Sequence, residues 1–191
     1  MKFSEIFKFF GRYVKNPSRI GAVCPSSKFL ARKMAERASV CLGASGVVAE
    51  LGAGTGAVTR RLVEAGCADS PHGLYSIEFD AVLAEVLRES FPSVKVVNGS
   101  AENLCAILGD DLPRLAAVIS SLPLLSLPKP VVRKILDETE SALPAGGVFV
   151  QFTYNLARSP SALGFRKMRH IGRSIVLLNV PPARVDVFEK L

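Results

Sequence analysis

The sequence predicts an α/β fold: a doubly wound, mostly parallel sheet with a C-terminal antiparallel hairpin, preceded by N-terminal amphipathic helices. Three observations predict it. Five short β-branched runs alternate with helical stretches. A glycine-rich loop follows the first run. The last two runs lie too close together for a helix to fit between them.

Val47–Leu51, Leu74–Ile77, Val94–Val97, Ala116–Ser120 and Val148–Phe152 read as strands. Helices are expected near Ala57–Ala65, Asp80–Ser90, Glu102–Leu108 and Pro130–Leu143, so each crossover returns to a parallel sheet. Ser174–Val180, then Pro181-Pro182, then Arg184–Phe188 reads as the hairpin. Ahead of the sheet, Lys2–Lys15 places Phe3, Ile6, Phe7, Phe10, Tyr13 and Val14 on one helical face. Lys8, Arg12 and Lys15 fall opposite, and Asn16-Pro17 ends the helix. A second helix is expected from an N-cap at Ser26 or Ser27, running through Phe29, Leu30 and Met34. Without repeats or linkers the chain reads as one compact domain, with residues 1–40 as a helical extension and residues 41–191 as the sheet unit.

Composition excludes several classes. The chain has 191 residues, 49% of them hydrophobic, which argues against disorder and supplies a core without disulfides or structural metal. The longest uncharged run, Ser141 to Ala157, is 17 residues and contains Pro144, Gly146 and Gly147, so nothing reads as a spanning helix. Charges interrupt every apolar run of the first forty residues, unlike a signal peptide. Cys24, Cys41, Cys67 and Cys105 form no C-x-x-C pair, and with only His72 and His170 no metal site is expected. Reduced thiols in a cytoplasmic protein are the simpler reading. The net charge of +7 is uneven. Residues 1–40 hold nine basic and two acidic residues, residues 41–157 are net −5, and Arg158–Arg173 is net +5. That asymmetry admits a nucleic-acid or an anionic-membrane partner.

The densest motif is Glu50-Leu51-Gly52-Ala53-Gly54-Thr55-Gly56 at the end of the first strand. Alternating glycines let a backbone turn sharply and approach a ligand. Its position, from strand end into helix start, is where open α/β sheets bind ligands. Gly52, Gly54 and Ala57 also satisfy the dinucleotide fingerprint, a weak signal alone. The acid Glu50, the third glycine and the closing hairpin instead resemble class I S-adenosylmethionine-dependent methyltransferases, with their Rossmann-like sheet. That resemblance implies cofactor contacts from Glu50, Gly52, Gly54, Thr55 and Gly56. It implies a ribose carboxylate at Glu78, an adenine contact near Ser100 and Ala101, and a further contact at Ser121. Ser100 departs from the acid usual at its position. Ser121-Leu122-Pro123-Leu124 occupies the place of the Asn-Pro-Pro-Tyr or Asn-Leu-Pro-Tyr motif of adenine-N6 methyltransferases. With Leu124 in the aromatic position, a flipped base loses its stacking partner, which favours a smaller or greasy amine.

Over most of its length the chain is similar to bacterial phospholipid N-methyltransferases of the rhizobial type. The shared segments are the amphipathic start, Asn16-Pro17, Gly21–Ser27, Glu50–Gly56, Ser121–Pro128, Gln151-Phe152-Thr153-Tyr154 and Asn179–Val185. The resemblance implies stepwise methylation of phosphatidylethanolamine toward phosphatidylcholine by S-adenosylmethionine. No metal, nucleic acid or obligate protein partner is implied. Ser121, Tyr154 and backbone carbonyls around Leu122 are candidates to orient the amine and pass on its proton. Tyr154 reads equally well as a core aromatic at a strand end. The N-terminal helix could be ordinary core, a membrane contact, or both in turn. Aromatic Phe3, Phe7 and Phe10 backed by Lys8, Arg12 and Lys15 favour an anionic membrane surface at the inner face of the membrane. Arg166 and Arg169, in the second basic run, are candidates for a head-group phosphate because that run follows the fifth strand. Two rivals remain. One is an rRNA adenine N6-dimethyltransferase-like enzyme, which predicts an aromatic at position 124. The other is a non-catalytic protein that binds cofactor and membrane.

Overall fold

In the computed structural model, the described residues are 27–39, 46–69, 73–157, 159 and 163–191. The expected helix from Lys2 to Lys15, with Phe3, Phe7, Lys8, Phe10, Arg12 and Lys15, lies outside them, as do Ser26, Cys24, Cys41, His72 and Arg158.

Seven strands form one sheet in the order β3-β2-β1-β4-β5-β7-β6. They are β1 (Val47–Leu51), β2 (Gly73–Glu78), β3 (Lys95–Asn98), β4 (Leu115–Ser120), β5 (Val148–Thr153), β6 (Met168–Val176) and β7 (Ala183–Lys190). The first five pair in parallel, and β7 runs antiparallel between β5 and β6. The chain order reverses between β1 and β4, so the crevice above those two strands is the switch point where such sheets take ligands.

The helices are α1 (Lys28–Ser39), α2 (Ala57–Glu64), α3 (Ala81–Ser90), α4 (Leu104–Leu108) and α5 (Lys129–Ala142). Ser27 caps α1, its Oγ accepting from Leu30 N at 3.3 Å. Asp80 caps α3 through Val82 N and Leu83 N. On one face of the sheet Leu30, Met34, Leu62 and Leu87 pack with Val48, Ala117 and Val150. On the other, Leu104, Ile135 and Leu136 pack with Leu51, Val118 and Phe149. Both faces of β1 are therefore covered, which is why all five of its residues are buried. Among the described residues no helix is long and apolar enough to cross a membrane. Cys67 and Cys105 carry free thiols, and burial pushes each up to about 11.

Two elements differ from the sequence expectation. The Glu102–Leu108 helix is a single α turn flanked by 3-10 segments, Ala101–Asn103 and Gly109–Arg114. Ser100 starts the first segment, and Pro113 keeps the second from continuing as α-helix. The hairpin starts six residues earlier than expected, at Met168, and Leu177–Val180 is its turn rather than a strand. Side chains of β6 alternate between exposed and half-buried along an edge strand, so Arg169 and Arg173 share the outward set with Ile171 and Ile175. Charge on an edge strand blocks pairing with another chain.

Candidate active site

Sharp turning after β1 depends on Gly52, Gly54 and Gly56, at φ of 74°, 57° and 81°. Their environments differ. A Cβ on Gly52 would meet Leu122 Cδ2 at 2.5 Å, and one on Gly56 would meet Phe91 Cε2 at 2.5 Å. A Cβ on Gly54 would have nothing within 4 Å. Two glycines thus let the loop press onto its neighbours, and the third leaves a cleared space above the sheet. Gly56 sits at the N-cap of α2 with no side-chain cap, so the first N–H groups of that helix lack a side-chain acceptor.

Glu78 ends β2 and aims its carboxylate at this loop. Its Oε2 accepts from Gly54 N at 2.8 Å and its Oε1 from Asp80 N at 2.9 Å. Each oxygen keeps a second lone-pair direction. Asn98, at the end of β3, donates to the carbonyls of Glu78 and Phe79 at 3.1 and 2.8 Å and so fixes this strand end. Phe79 presents an aromatic ring that is 42% exposed. Ser100 Oγ accepts from Glu102 N and donates to Glu102 Oε2, both at 3.2 Å. Ala101 and Glu102 are buried beside it. Thr55 is exposed at the tip of the loop.

Glu50 points into the protein. It is fully buried, and its Oε2 accepts from Thr59 Oγ1 at 2.6 Å and Ser76 Oγ at 2.9 Å. These bonds tie β1 to α2 and β2 directly beneath the glycine loop. Burial pushes the carboxyl up to about 7, opposed by the two hydroxyl donors. Its Oε1 has no partner.

The other flank of the crevice is formed by β4 and β5. Ser121 N donates to Leu51 O at 2.9 Å, which holds the Ser121–Leu124 segment against the end of β1. The Leu122 carbonyl, expected from sequence to be available to an amine, accepts from Gln151 Nε2 at 2.9 Å and from Leu124 N at 2.9 Å. Both lone pairs are used, so that expectation is corrected. Gln151 Nε2 also donates to Phe152 O at 2.7 Å. Two carbonyls thus clamp the amide nitrogen and dictate the orientation of the amide. Its Oε1 is buried without a partner among the described residues, as are Ser120 Oγ and Ser121 Oγ. Register places Ser120 opposite Gln151, so these atoms gather at the C-terminal ends of adjacent strands.

Leu124 is buried in the core between sheet and α5, and presents no platform to the crevice. Tyr154 is half-buried, with its ring edge-on to Phe152 at 5.3 Å and packed on the α1 side of the core. Arg166 and Arg169 fall elsewhere. Because β6 runs alongside β7 with Met168 opposite Lys190, its start lies at the N-terminal edge of the parallel strands, away from the glycine loop. There Arg166 N and Lys167 N donate to Glu140 Oε1, and Arg169 pairs with Glu189 at 2.7 Å. The expectation that these arginines border the site is corrected by strand direction. Among the described residues no group of three or more His, Cys, Asp or Glu could hold a metal ion.

Sequence reasoning gave no role to Gln151, Ser120, Phe79 or Glu102. Gln151 did carry a signal, as the single polar residue inside the apolar Val148–Phe152 run. A polar side chain in a strand covered on both faces needs a hydrogen-bonding reason.

No family model matches the chain. It is 31% identical over 156 residues to an ornithine lipid N-methyltransferase of Singulisphaera acidiphila, spanning 78% of each chain. It is also 31% identical over 137 residues to ribosomal RNA small subunit methyltransferase A of Thermotoga petrophila. That match takes in 72% of this chain and only 48% of the relative. Among solved structures, the Burkholderia thailandensis 1,6-didemethyltoxoflavin-N1-methyltransferase, with bound S-adenosylhomocysteine, superposes with a TM-score of 0.69. The superposition is at 14% identity and covers 98% of this chain and 88% of that one.

Proposed function

Given that the chain belongs to the class I S-adenosylmethionine-dependent methyltransferases, we propose that it methylates the amine of an amino lipid head group at a membrane surface. It is an N-methyltransferase, and its cofactor is S-adenosylmethionine. The finer reading is phosphatidylethanolamine toward phosphatidylcholine, with ornithine-type lipid as the other head group of the same chemistry.

The residues at the glycine loop fit the cofactor. Space above Gly54 admits a ligand against the backbone. Glu78 retains acceptor capacity for two ribose hydroxyls. The uncapped start of α2 suits a carboxylate. Ser100 with Ala101 would border the edge of a purine ring. S-Adenosylmethionine supplies an activated methyl group on a sulfonium and leaves as S-adenosylhomocysteine.

One observation carries the amine reading: the unpartnered, buried Ser121 Oγ and Gln151 Oε1 beside the glycine loop. Gln151 Oε1 can only accept, and a serine hydroxyl can accept as well as donate. An amine brings the missing donors. As an ammonium resembling Lys it arrives with a pKa of about 10, and entry into a dry crevice lowers that value. Gln151 and Ser121 would hold two N–H groups and thereby aim the nitrogen lone pair. The amine attacks in its neutral form, and after methyl transfer Ser121 Oγ can take a proton from the methylated ammonium while passing its own to water. Tyr154, at the end of β5, would wall the substrate side. The buried Leu124 leaves a nucleobase without its stacking surface, which favours lipid over RNA.

In this reading Phe3, Phe7 and Phe10, with Lys8, Arg12 and Lys15, engage anionic lipid at the cytoplasmic face of the membrane. Incubation with methyl-labelled S-adenosylmethionine tests it. Vesicles of phosphatidylethanolamine or ornithine lipid should take up label, and ribosomal RNA should not. Label in RNA with none in lipid overturns the proposal. Removal of residues 1–15 should abolish vesicle binding and lipid turnover together.

A further inference from the structure

Among the described residues, nothing buries the apolar tip of the β6–β7 turn. Leu177, Leu178 and Val180 are 73%, 67% and 81% exposed, and Ile175 below them is 55% exposed. Large apolar side chains grouped at one point mark a contact surface rather than chance exposure. The tip is also a built structure. Between the exposed residues Asn179 turns inward and is 2% exposed. Its Oδ1 accepts from Ser27 N at 3.0 Å, and its Nδ2 donates to Pro181 O at 2.7 Å. Asn179 therefore pins the turn to the start of α1 and forces its neighbours outward.

Position and charge identify the occupant. Val176 and Ala183 pair at the end of the hairpin that continues past Thr153, so the tip stands at the same sheet edge as the glycine loop and Gln151. Lys28, next to the Ser27 that holds Asn179, is exposed. Arg173 is exposed on the hairpin itself. A stable protein partner needs roughly 800 Å² on each side and a complementary shape. A few side chains on a convex six-residue turn do not supply that area. They do suit a fluid interface that closes around each side chain and attracts the neighbouring cations.

We infer that the Leu177–Val180 tip inserts into the lipid interface and so turns the cofactor edge of the sheet toward the bilayer. This deepens the amino-lipid reading and depends on it only for the identity of the substrate. Two contacts on different elements, the tip and the N-terminal segment, fix the tilt of the enzyme in a way that one contact does not.

The chain contains no tryptophan, so Leu178→Trp installs a single reporter. On vesicles of phosphatidylcholine and phosphatidylglycerol, its emission should shift to the blue and be quenched by brominated acyl chains. The triple variant Leu177→Ser, Leu178→Ser, Val180→Ser should bind those vesicles at least about ten-fold more weakly. Its affinity for S-adenosylmethionine should be unchanged, which shows that it is folded. These vesicles contain no methylatable amine, so the outcome does not depend on the substrate. An unshifted reporter on protein that sediments with vesicles overturns the inference. So does a triple variant with unchanged vesicle binding and an altered oligomeric state, which would assign the tip to a second copy of the chain.

Discussion

On the β2–β3 side of the crevice, the polar atoms that face the glycine loop are already engaged. Both oxygens of Glu78 accept backbone N–H groups, and Ser100 both accepts from and donates to Glu102. On the β4–β5 side, Ser120 Oγ, Ser121 Oγ and Gln151 Oε1 are buried with no partner. Leaving a buried polar group unmet costs about 1–3 kcal/mol each. The proposed cofactor flank thus holds its geometry by protein contacts alone, while the proposed acceptor flank keeps acceptors open to a ligand that brings donors. The difference teaches how one fold can keep a constant cofactor site beside a variable acceptor site.

The largest expected effect breaks the engaged flank. Glu78→Ala removes both acceptors and frees Gly54 N and Asp80 N. Hydrogen bonds to a charged group contribute roughly 1.5–3 kcal/mol each, so affinity for S-adenosylmethionine should fall about 100-fold or more by calorimetry. Unchanged affinity would remove Glu78 from the cofactor site. Next, Gln151→Leu should lower lipid turnover by about ten-fold to 100-fold while cofactor affinity stays within about threefold. Equal losses in both would mean that the two flanks are not separable.

The smallest effect concerns Glu50, beneath the loop. Its folded carboxyl is raised from 4.5 to about 7 by burial. The native state therefore keeps a proton that the unfolded chain releases, and the stability linked to it is fully present below pH 4.5. That stability is lost as the pH rises to about 7. Glu50→Gln does not titrate. Relative to the unsubstituted protein, it should gain stability steadily between pH 4.5 and pH 8 in denaturant titrations. A constant difference across that range would show that Glu50 keeps its charge in the fold.

The sheet was legible in the sequence because β-branched runs and crossover helices repeat a local signal. Val47–Leu51 is legible to the residue, and the other four parallel strands to within one residue at each end. Ser27 and Asp80 announced their helices by residue type. The hairpin was legible as a pairing but not in its register. Its first strand begins among basic residues, where no β-branched run marks it. That the Leu122 carbonyl is already engaged is illegible for a similar reason. Its second donor, Gln151, lies 29 residues away.

The sequence by itself determined that a strand would end in a glycine loop with an acid at its start, and that a second acid would end the next strand. Those features follow from backbone freedom and from periodicities of a few residues. Only the tertiary structure decided which lone pairs are spent and which remain, where the arginines of β6 stand, and that the Leu177–Val180 turn stands at the same sheet edge as the glycine loop. Each of these depends on the register between strands distant in the chain. A shift of one residue there moves a side chain to the other face of the sheet.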